Sequence, residues 1–394
     1  MQLQLPDFGL TRKVSRFSPE HEAFRETVAR FVSKEIAPNA TEWDEAGEFP
    51  LELYGKAAEI GLMGVMFPES VGGSGTDYAM SYIGATELGR AGCGGISASL
   101  MSHSIGAPPI AKLGSKELKS RVLAPILMGE KISALAITEP GGGSDVQSLK
   151  TTAKRVGETY VVNGEKTFIT SGMRADYYTT AVRTGEKGLQ GISLLLIEKG
   201  MKGFTQTPLK KMGWWASDTA TLHFDNVEVP AQNLIGAENA GFLGIMQNFN
   251  AERVFLASGC YGHMLAVFEE ALEWAQTRET FDKPLIKRQV IRHKFVDMAM
   301  KIQAVRCTIE DLVLRLNAGE NPIAEICMLK NLATSTLEWV ANEALQVLGG
   351  AGYMRGTKVE RIYRETKVMS IGGGATEIMK DLAARQLGFD NYAR

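Results

Sequence analysis

The sequence predicts a multidomain α+β protein: an N-terminal helical domain (1–130), a central antiparallel β-domain (131–240) and a C-terminal four-helix-type bundle (241–394). Three observations predict it. Apolar residues recur at helical spacing from Pro19 to about Leu127. The period drops to two between Lys131 and about Gly241, in short runs rich in β-branched and aromatic residues. Helical spacing then returns in segments long enough to pack as a bundle. A chain of 394 residues also exceeds what one hydrophobic core usually supports.

The first helix opens at Ser18, an N-cap residue, with Pro19 at the first helical position. It places Phe24, Val28, Phe31 and Val32 on one face and stops at Pro38. "FPLELYGKAAEIGLMGV" and "YAMSYIGATELGRAG" repeat the spacing on either side of the turn-rich "PESVGGSGTD". In the middle third, "TYVVNGEKTFIT", "DYYTTAVRT", "GISLLLIEK" and "TATLHFDNVEVP" are strand candidates, and Asn-Gly and other glycine-containing pairs are expected to be their turns. No long helix fits between them. Beyond Gly241, "GFLGIMQNFNAERVFLASGCYGHMLAVFEEALEWAQTR", "KRQVIRHKFVDMAMKIQAVRCTIEDLVLRLNAG" and "IAEICMLKNLATSTLEWVANEALQVLGG" are long helices.

Composition narrows the function. Hydrophobic residues make up 44% and charged residues 22%, ordinary globular usage. With 43 Lys plus Arg against 45 Asp plus Glu, and no long basic run, there is no electrostatic footprint for nucleic acid. Cys93, Cys260, Cys307 and Cys327 are far apart, as are His21, His103, His223, His263 and His293, so neither a disulfide framework nor a metal site is expected. The stretch "MQLQLPDFGLTRKVSRF" lacks the apolar core of a secretory signal and no run approaches a membrane span, so a cytoplasmic protein is expected.

Two glycine-rich segments stand out. "AITEPGGGSDVQS" lies where helices give way to strands; Gly141, Gly142 and Gly143 expose backbone donors, and Thr138, Ser144 and Asp145 add short polar side chains. It is neither a P-loop nor a dinucleotide-binding turn, and an ordinary domain-crossing loop is the rival reading. "SIGGGATEIMKDLAARQLGF" sets Gly372, Gly373 and Gly374 directly ahead of a helix. A flexible joint is one reading. A place where backbone N–H groups approach a ligand is the other.

Taken in order, "AITEPGGGSD", "YVVNGEKTFITSG", "RETF", "QVLGGAGY" and "GGGATEIMKDLAARQ" resemble the motif set of the acyl-CoA dehydrogenases, from about Phe17 to Phe389. The resemblance implies the same helix–strand–helix architecture, FAD as cofactor, an acyl-CoA substrate, an electron-transfer flavoprotein as partner and a homotetramer arranged as a dimer of dimers. It also implies site residues. Ile137 and Thr138 match positions that touch the flavin ring, and Phe168 and Thr170 match a pair beside it, where Trp is commoner than Phe. Gly143 and Ser144 match positions near the cofactor, Ser144 also near the CoA chain. Arg278, Thr280, Phe281, Gln346, Gly349 and Gly350 match positions that reach FAD held by a neighbouring subunit, and Gln289 and Glu377 join the cofactor-binding set. Asn250, Arg253 and Gly373 fall on the substrate side. Each has a plainer reading: Phe168 as β-domain core, Arg278 as a solvated helix-end cation, Gly349 and Gly350 as a helix cap. Departures from the pattern are Asp282, where glycine is usual, Gly356, where a polar residue is usual, and Trp214 with Trp215, which bear on acyl specificity or are core.

Oxidation of an acyl-CoA needs a carboxylate to take the α-proton. Many members carry that Glu in the C-terminal loop, where this chain has Gly373. Isovaleryl-CoA and long-chain acyl-CoA dehydrogenases carry it instead in an E-R pair on the long helix after the β-domain, and here that pair is Glu252 and Arg253. The resemblance therefore makes Glu252 the base and leaves Gly373 as a backbone donor to the thioester. "MSIGGGATEIMK" also looks like that of citronellyl-CoA and long-chain enzymes, favouring branched or medium-to-long acyl groups. Two rivals remain: a flavin monooxygenase or oxidase of the same fold, which would not require Glu252, and a non-catalytic acyl-CoA- or nucleic-acid-binding relative.

Overall fold

The structure, a computed structural model, describes residues 16–389, apart from the side chains of Leu243, Met246, Gln247 and Asn248. Most of the stretch read for a secretory signal lies outside the described residues. In chain order the helices and strands are α1 (Pro19–Phe31), α2 (Ala40–Ala46), α3 (Glu52–Glu59), α4 (Tyr78–Arg90), α5 (Gly94–Leu100), α6 (His103–Gly106), α7 (Pro108–Leu113), α8 (Lys116–Leu127), β1 (Ser133–Ala136), β2 (Thr152–Val156), β3 (Thr159–Thr170), β4 (Tyr177–Arg183), β5 (Ile192–Glu198), β6 (Phe204–Pro208), β7 (Thr219–Pro230) and β8 (Leu234–Ile235). They continue with α9 (Gly241–Thr277), β9 (Glu279–Thr280), β10 (Lys283–Pro284), α10 (Gln289–Asn317), α11 (Ile323–Leu348), α12 (Gly350–Tyr353), α13 (Lys358–Ile371) and α14 (Thr376–Gln386). Among the described residues, no helix is long and apolar enough to cross a membrane.

The chain forms two compact units. One, the sheet unit, comprises Trp43–Thr76 and Gly95–Glu252. Its strands run in the order β6-β7-β3-β2-β4-β5-β8, with β1 added on β4. Pairing is antiparallel except that β1 lies parallel to β4, from Ser133 opposite Tyr177 to Ala136 opposite Thr180, and β2 touches β4 in parallel at Thr152. Every β5 residue from Ile192 to Ile197 is buried, as expected of a strand covered on both faces. Ile110, Leu118, Val122 and Ile126 of α7 and α8 supply part of that cover, packing with Ala181, Leu194 and Leu196. The Asn163–Gly164 pair, expected to be a turn, lies inside β3 at a register shift. Gly164 has φ +140, and a Cβ there would sit 2.7 Å from Thr151 Oγ1, so the position needs glycine, while the extra residue of the bulge lies on β7, where Asp225 and Asn226 face Asn163. The β2–β3 turn falls instead at Gly157, φ +59.

The other, the helical unit, comprises, among the described residues, 16–42, Asp77–Gly94 and 253–389. Ser18 and Pro19 start α1 as expected. A π-helical segment, Val32–Ile36, then ends the run before Pro38, which has no N–H to continue it. Asp77 caps α4, its carboxylate accepting from the Ala79 amide at 2.7 Å and the Asn317 side chain at 2.9 Å. Those bonds and His21 outweigh the upward push of burial and hold Asp77 below its ordinary pKa. Almost all of α4 is buried, and it meets α9 backbone to backbone. A Cβ on Gly89 would lie 2.6 Å from the Gly259 carbonyl, and one on Gly262 would overlap the Thr86 carbonyl. Small residues are required at such a crossing.

Candidate active site

In the sheet unit, the chain leaves β1 through Ile137 and Thr138 and runs beside the end of β3, where Thr167 N–H donates to the Thr138 carbonyl at 2.8 Å. This brings together the pairs Ile137–Thr138 and Phe168–Thr170. A register shift between Lys166 and Ile169 turns Phe168 outward, 69% exposed, with φ +60. A left-handed backbone is unusual for a bulky residue, and here the strained position carries an exposed ring. Phe168 is therefore not β-domain core.

Beneath this face lies a charge that the sequence reading missed. Lys166 is fully buried, its Nζ 3.0 Å from the Ile137 carbonyl and 2.8 Å from Glu139 Oε1. Burial pushes its ammonium down to about 8 against the opposing pull of Glu139. Glu139 also accepts from the amides of Lys150 at 2.6 Å and Thr151 at 2.8 Å. Burial raises the Glu139 carboxyl, but Lys166 and these donors outweigh it and hold it low. The glycine loop begins here. Gly142 exchanges two hydrogen bonds with Glu139, at 3.0 and 3.2 Å, so its amide is used inside the turn and is not an exposed donor. Gly143 and Ser144 follow it, both exposed.

In the helical unit, Gly373 and Gly374 have φ +66 and +108, so the run of glycines is a backbone requirement. Basic side chains fix the loop. Arg253 on α9, itself buried, donates from Nε to the Gly373 carbonyl at 3.3 Å. Lys330 on α11, fully buried, donates to the Gly374 carbonyl at 2.7 Å. Glu377 is exposed in the first turn of α14. Asn250 and Glu252, the latter the last residue of the sheet unit, are both half-buried on α9.

Arg278, Thr280 and Phe281 form a two-stranded hairpin, β9 with β10. Phe281 and Asp282 are its two turn residues, φ +49 and +60, so Asp282 adopts the left-handed backbone for which glycine is usual. Phe281 is 90% exposed, with the Arg288 guanidinium 5.3 Å from its ring centre. Arg288 Nη2 also donates to the Thr280 carbonyl at 2.6 Å, a support that sequence reasoning did not name. Gln289 starts α10 and Gln346 lies near the end of α11, both exposed. Gly349 caps α11 with φ +59, Gly350 starts α12, and Gly356 has φ +112, which accounts for the missing polar side chain.

Trp214 and Trp215 are half-buried in the sheet unit. Trp215 donates from its indole to the Lys211 carbonyl at 3.0 Å, within its own loop. Trp214 has φ +56, and Gly95 admits its backbone so closely that a Cβ would lie 3.0 Å away.

Comparison with known proteins identifies the family. The family model described as "Acyl-CoA dehydrogenase, N-terminal domain" matches residues 18–130, the middle domain 134–227 and the C-terminal domain 239–388. The mouse mitochondrial long-chain specific acyl-CoA dehydrogenase is 36% identical over 392 residues, covering 98% of this chain and 90% of its own. An acyl-CoA dehydrogenase of Bacillus subtilis is 37% identical over 371 residues, covering 93% and 98%. The crystal structure of a putative acyl-CoA dehydrogenase from Mycobacterium smegmatis superposes with a TM-score of 0.93 at 49% identity, covering 95% of this chain and 99% of its own. The chain belongs to the acyl-CoA dehydrogenase family.

Proposed function

We propose that this protein oxidises the Cα–Cβ bond of an acyl-CoA thioester to the trans-2-enoyl-CoA and passes the electron pair to an electron-transfer flavoprotein. It is an oxidoreductase of its family, with FAD as cofactor. The residues present fit that group. A flat ring needs an exposed apolar face edged by backbone, which Phe168, Ile137 and Thr138 provide on the sheet unit. When bound, FAD accepts the hydride from Cβ.

The rest falls to the chain. Glu252, as carboxylate, takes the α-proton. The Gly373 amide donates to the thioester carbonyl oxygen and stabilises the charge that develops there, worth roughly 3 kcal/mol by analogy with other oxyanion donors. The observation that carries the reading is the glycine loop. Its left-handed backbone and its Arg253 and Lys330 restraints fit a positioned donor and do not fit a free joint. Exposed Phe281 in its strained turn supports a second copy covering that hairpin, in a homotetramer built as a dimer of dimers. Similarity to the long-chain relative supports medium-to-long or branched acyl groups.

The test is anaerobic bleaching of the flavin across a panel of acyl-CoAs, with wild type and Glu252→Gln. The variant keeps size and hydrogen bonding but not basicity, so reduction should slow by on the order of 10² to 10⁴ while FAD content persists. Normal reduction by Glu252→Gln would remove the base assignment.

A further inference from the structure

We propose that Lys166 is a positioning residue for the cofactor: it fixes the Ile137–Thr138 peptide and sets a buried positive charge behind it, favouring the reduced flavin. The proposal rests on the reading that FAD occupies the Phe168 face.

Lys166 Nζ is 3.0 Å from the Ile137 carbonyl. The peptide is trans, since no described residue has a cis bond, so the Thr138 N–H points away from the ammonium. One carbonyl along, Thr138 is held by the Thr167 amide at 2.8 Å. Two successive carbonyls are thus bonded inside the protein, and the amide between them, opposed to the buried ammonium, is the donor offered to the ring. A cation on the carbonyl end polarises that amide and makes it a stronger donor where negative charge accumulates on reduction. Glu139, which shares the ammonium, has its charge spread over the Lys150 and Thr151 amides as well.

A buried ion pair that only locks two strands together is the rival, and two variants separate them. Lys166→Met alone leaves the Glu139 carboxylate without its cation, a change that unfolds many proteins. The double variant Lys166→Met with Glu139→Gln removes both charges. It should keep a wild-type apoprotein unfolding midpoint, yet bind oxidised FAD about 10-fold more weakly. Its preference for reduced over oxidised FAD should fall about 10-fold further, lowering the two-electron midpoint potential by ~30 mV. Glu139→Gln alone keeps the ammonium and removes its counter-charge, so its potential should rise. Wild-type affinity and potential in the double variant, or shifts of the same sign in both variants, would overturn the proposal while FAD binding stands. If wild-type apoprotein took up no FAD, the functional reading itself would fall with it.

Discussion

Lys330 holds Gly374: its ammonium, wholly removed from solvent, sits 2.7 Å from that carbonyl. The next residue, Asn331, donates to the Thr376 carbonyl at 3.0 Å, so one stretch of α11 fixes the bend where it enters α14. Lys330→Met keeps the apolar stem and removes the bond. Misplacing a reacting group by about 1 Å can cost 10²-fold in rate. We expect kcat/KM to fall by about 10- to 100-fold with FAD content unchanged, measured by steady-state assay and the flavin-to-protein absorbance ratio. Unaltered kinetics in a folded variant would mean that the bend needs no such anchor.

Phe281 carries a left-handed backbone for which it is poorly suited, at a cost of roughly 1–2 kcal/mol. Phe281→Asn should relieve that strain and hold or raise the unfolding midpoint of the isolated chain, since Asn tolerates the conformation. The same change should weaken FAD retention and the association of copies together, read by light scattering and flavin content. Separation of the two effects would count against a role for the hairpin in both.

His103 and His263 are buried, and burial pushes both ring pKa values from 6.5 down to about 4. Each remains neutral, bonding a backbone carbonyl: Met63 at 2.9 Å for His103 and Gly89 at 2.9 Å for His263. Below pH 6.5 the unfolded chain takes up protons that the folded one refuses, so stability falls as pH drops toward 4. Each residue removes about 2 kcal/mol by pH 5 on this account. Urea midpoints at pH 7 and pH 5 should diverge in wild type and converge in the His103→Gln, His263→Gln double variant.

Two glycine substitutions should move stability in opposite directions. Gly55, inside α3, has open space at its Cβ position, so Gly55→Ala should stabilise by about 0.5–1 kcal/mol through helix propensity. Gly262→Ala places a methyl on the Thr86 carbonyl and should destabilise well beyond that, or prevent folding. Thermal melts of the two variants check the contrast; equal shifts would contradict the close crossing of α4 and α9.

The broad architecture was legible because periodicity is a local property: Val28 and Phe31 of α1, with Val32 just after it, are buried as their spacing requires. Asn163–Gly164 was misread for a physical reason. The pair signals a backbone that can reach positive φ, and a close approach inside a strand, here of Gly164 to Thr151, needs that as much as a hairpin turn does. Lys166 and Lys330 were passed over because a lone lysine in a sequence suggests solvent: the Gly374 carbonyl gives Lys330 no side-chain signature, and Glu139 lies 27 positions from Lys166. For Lys166 a signal was present. Carrying the inward parity of Tyr160 and Val162 along the strand places Lys166 inward too. The exposed, strained turns of Phe168 and Phe281 depend on long-range register and could not be seen from spacing.

The bond between His263 and Gly89 joins residues 174 positions apart, and that gap sets a clock during synthesis. At roughly 5–20 residues per second, α4 leaves the ribosome about 10–35 s before the half of α9 that covers it. Early arrivals offer α1 and the π-helical segment after it, with Phe17 within 5.7 Å of Tyr82. A helix buried on nearly every side thus waits with much of its apolar surface in water. Nascent chains stalled before Gly259 should therefore be sticky and chaperone-bound, and the protein's yield in a cell should respond to translation speed through this stretch more than through the locally paired hairpins of the sheet.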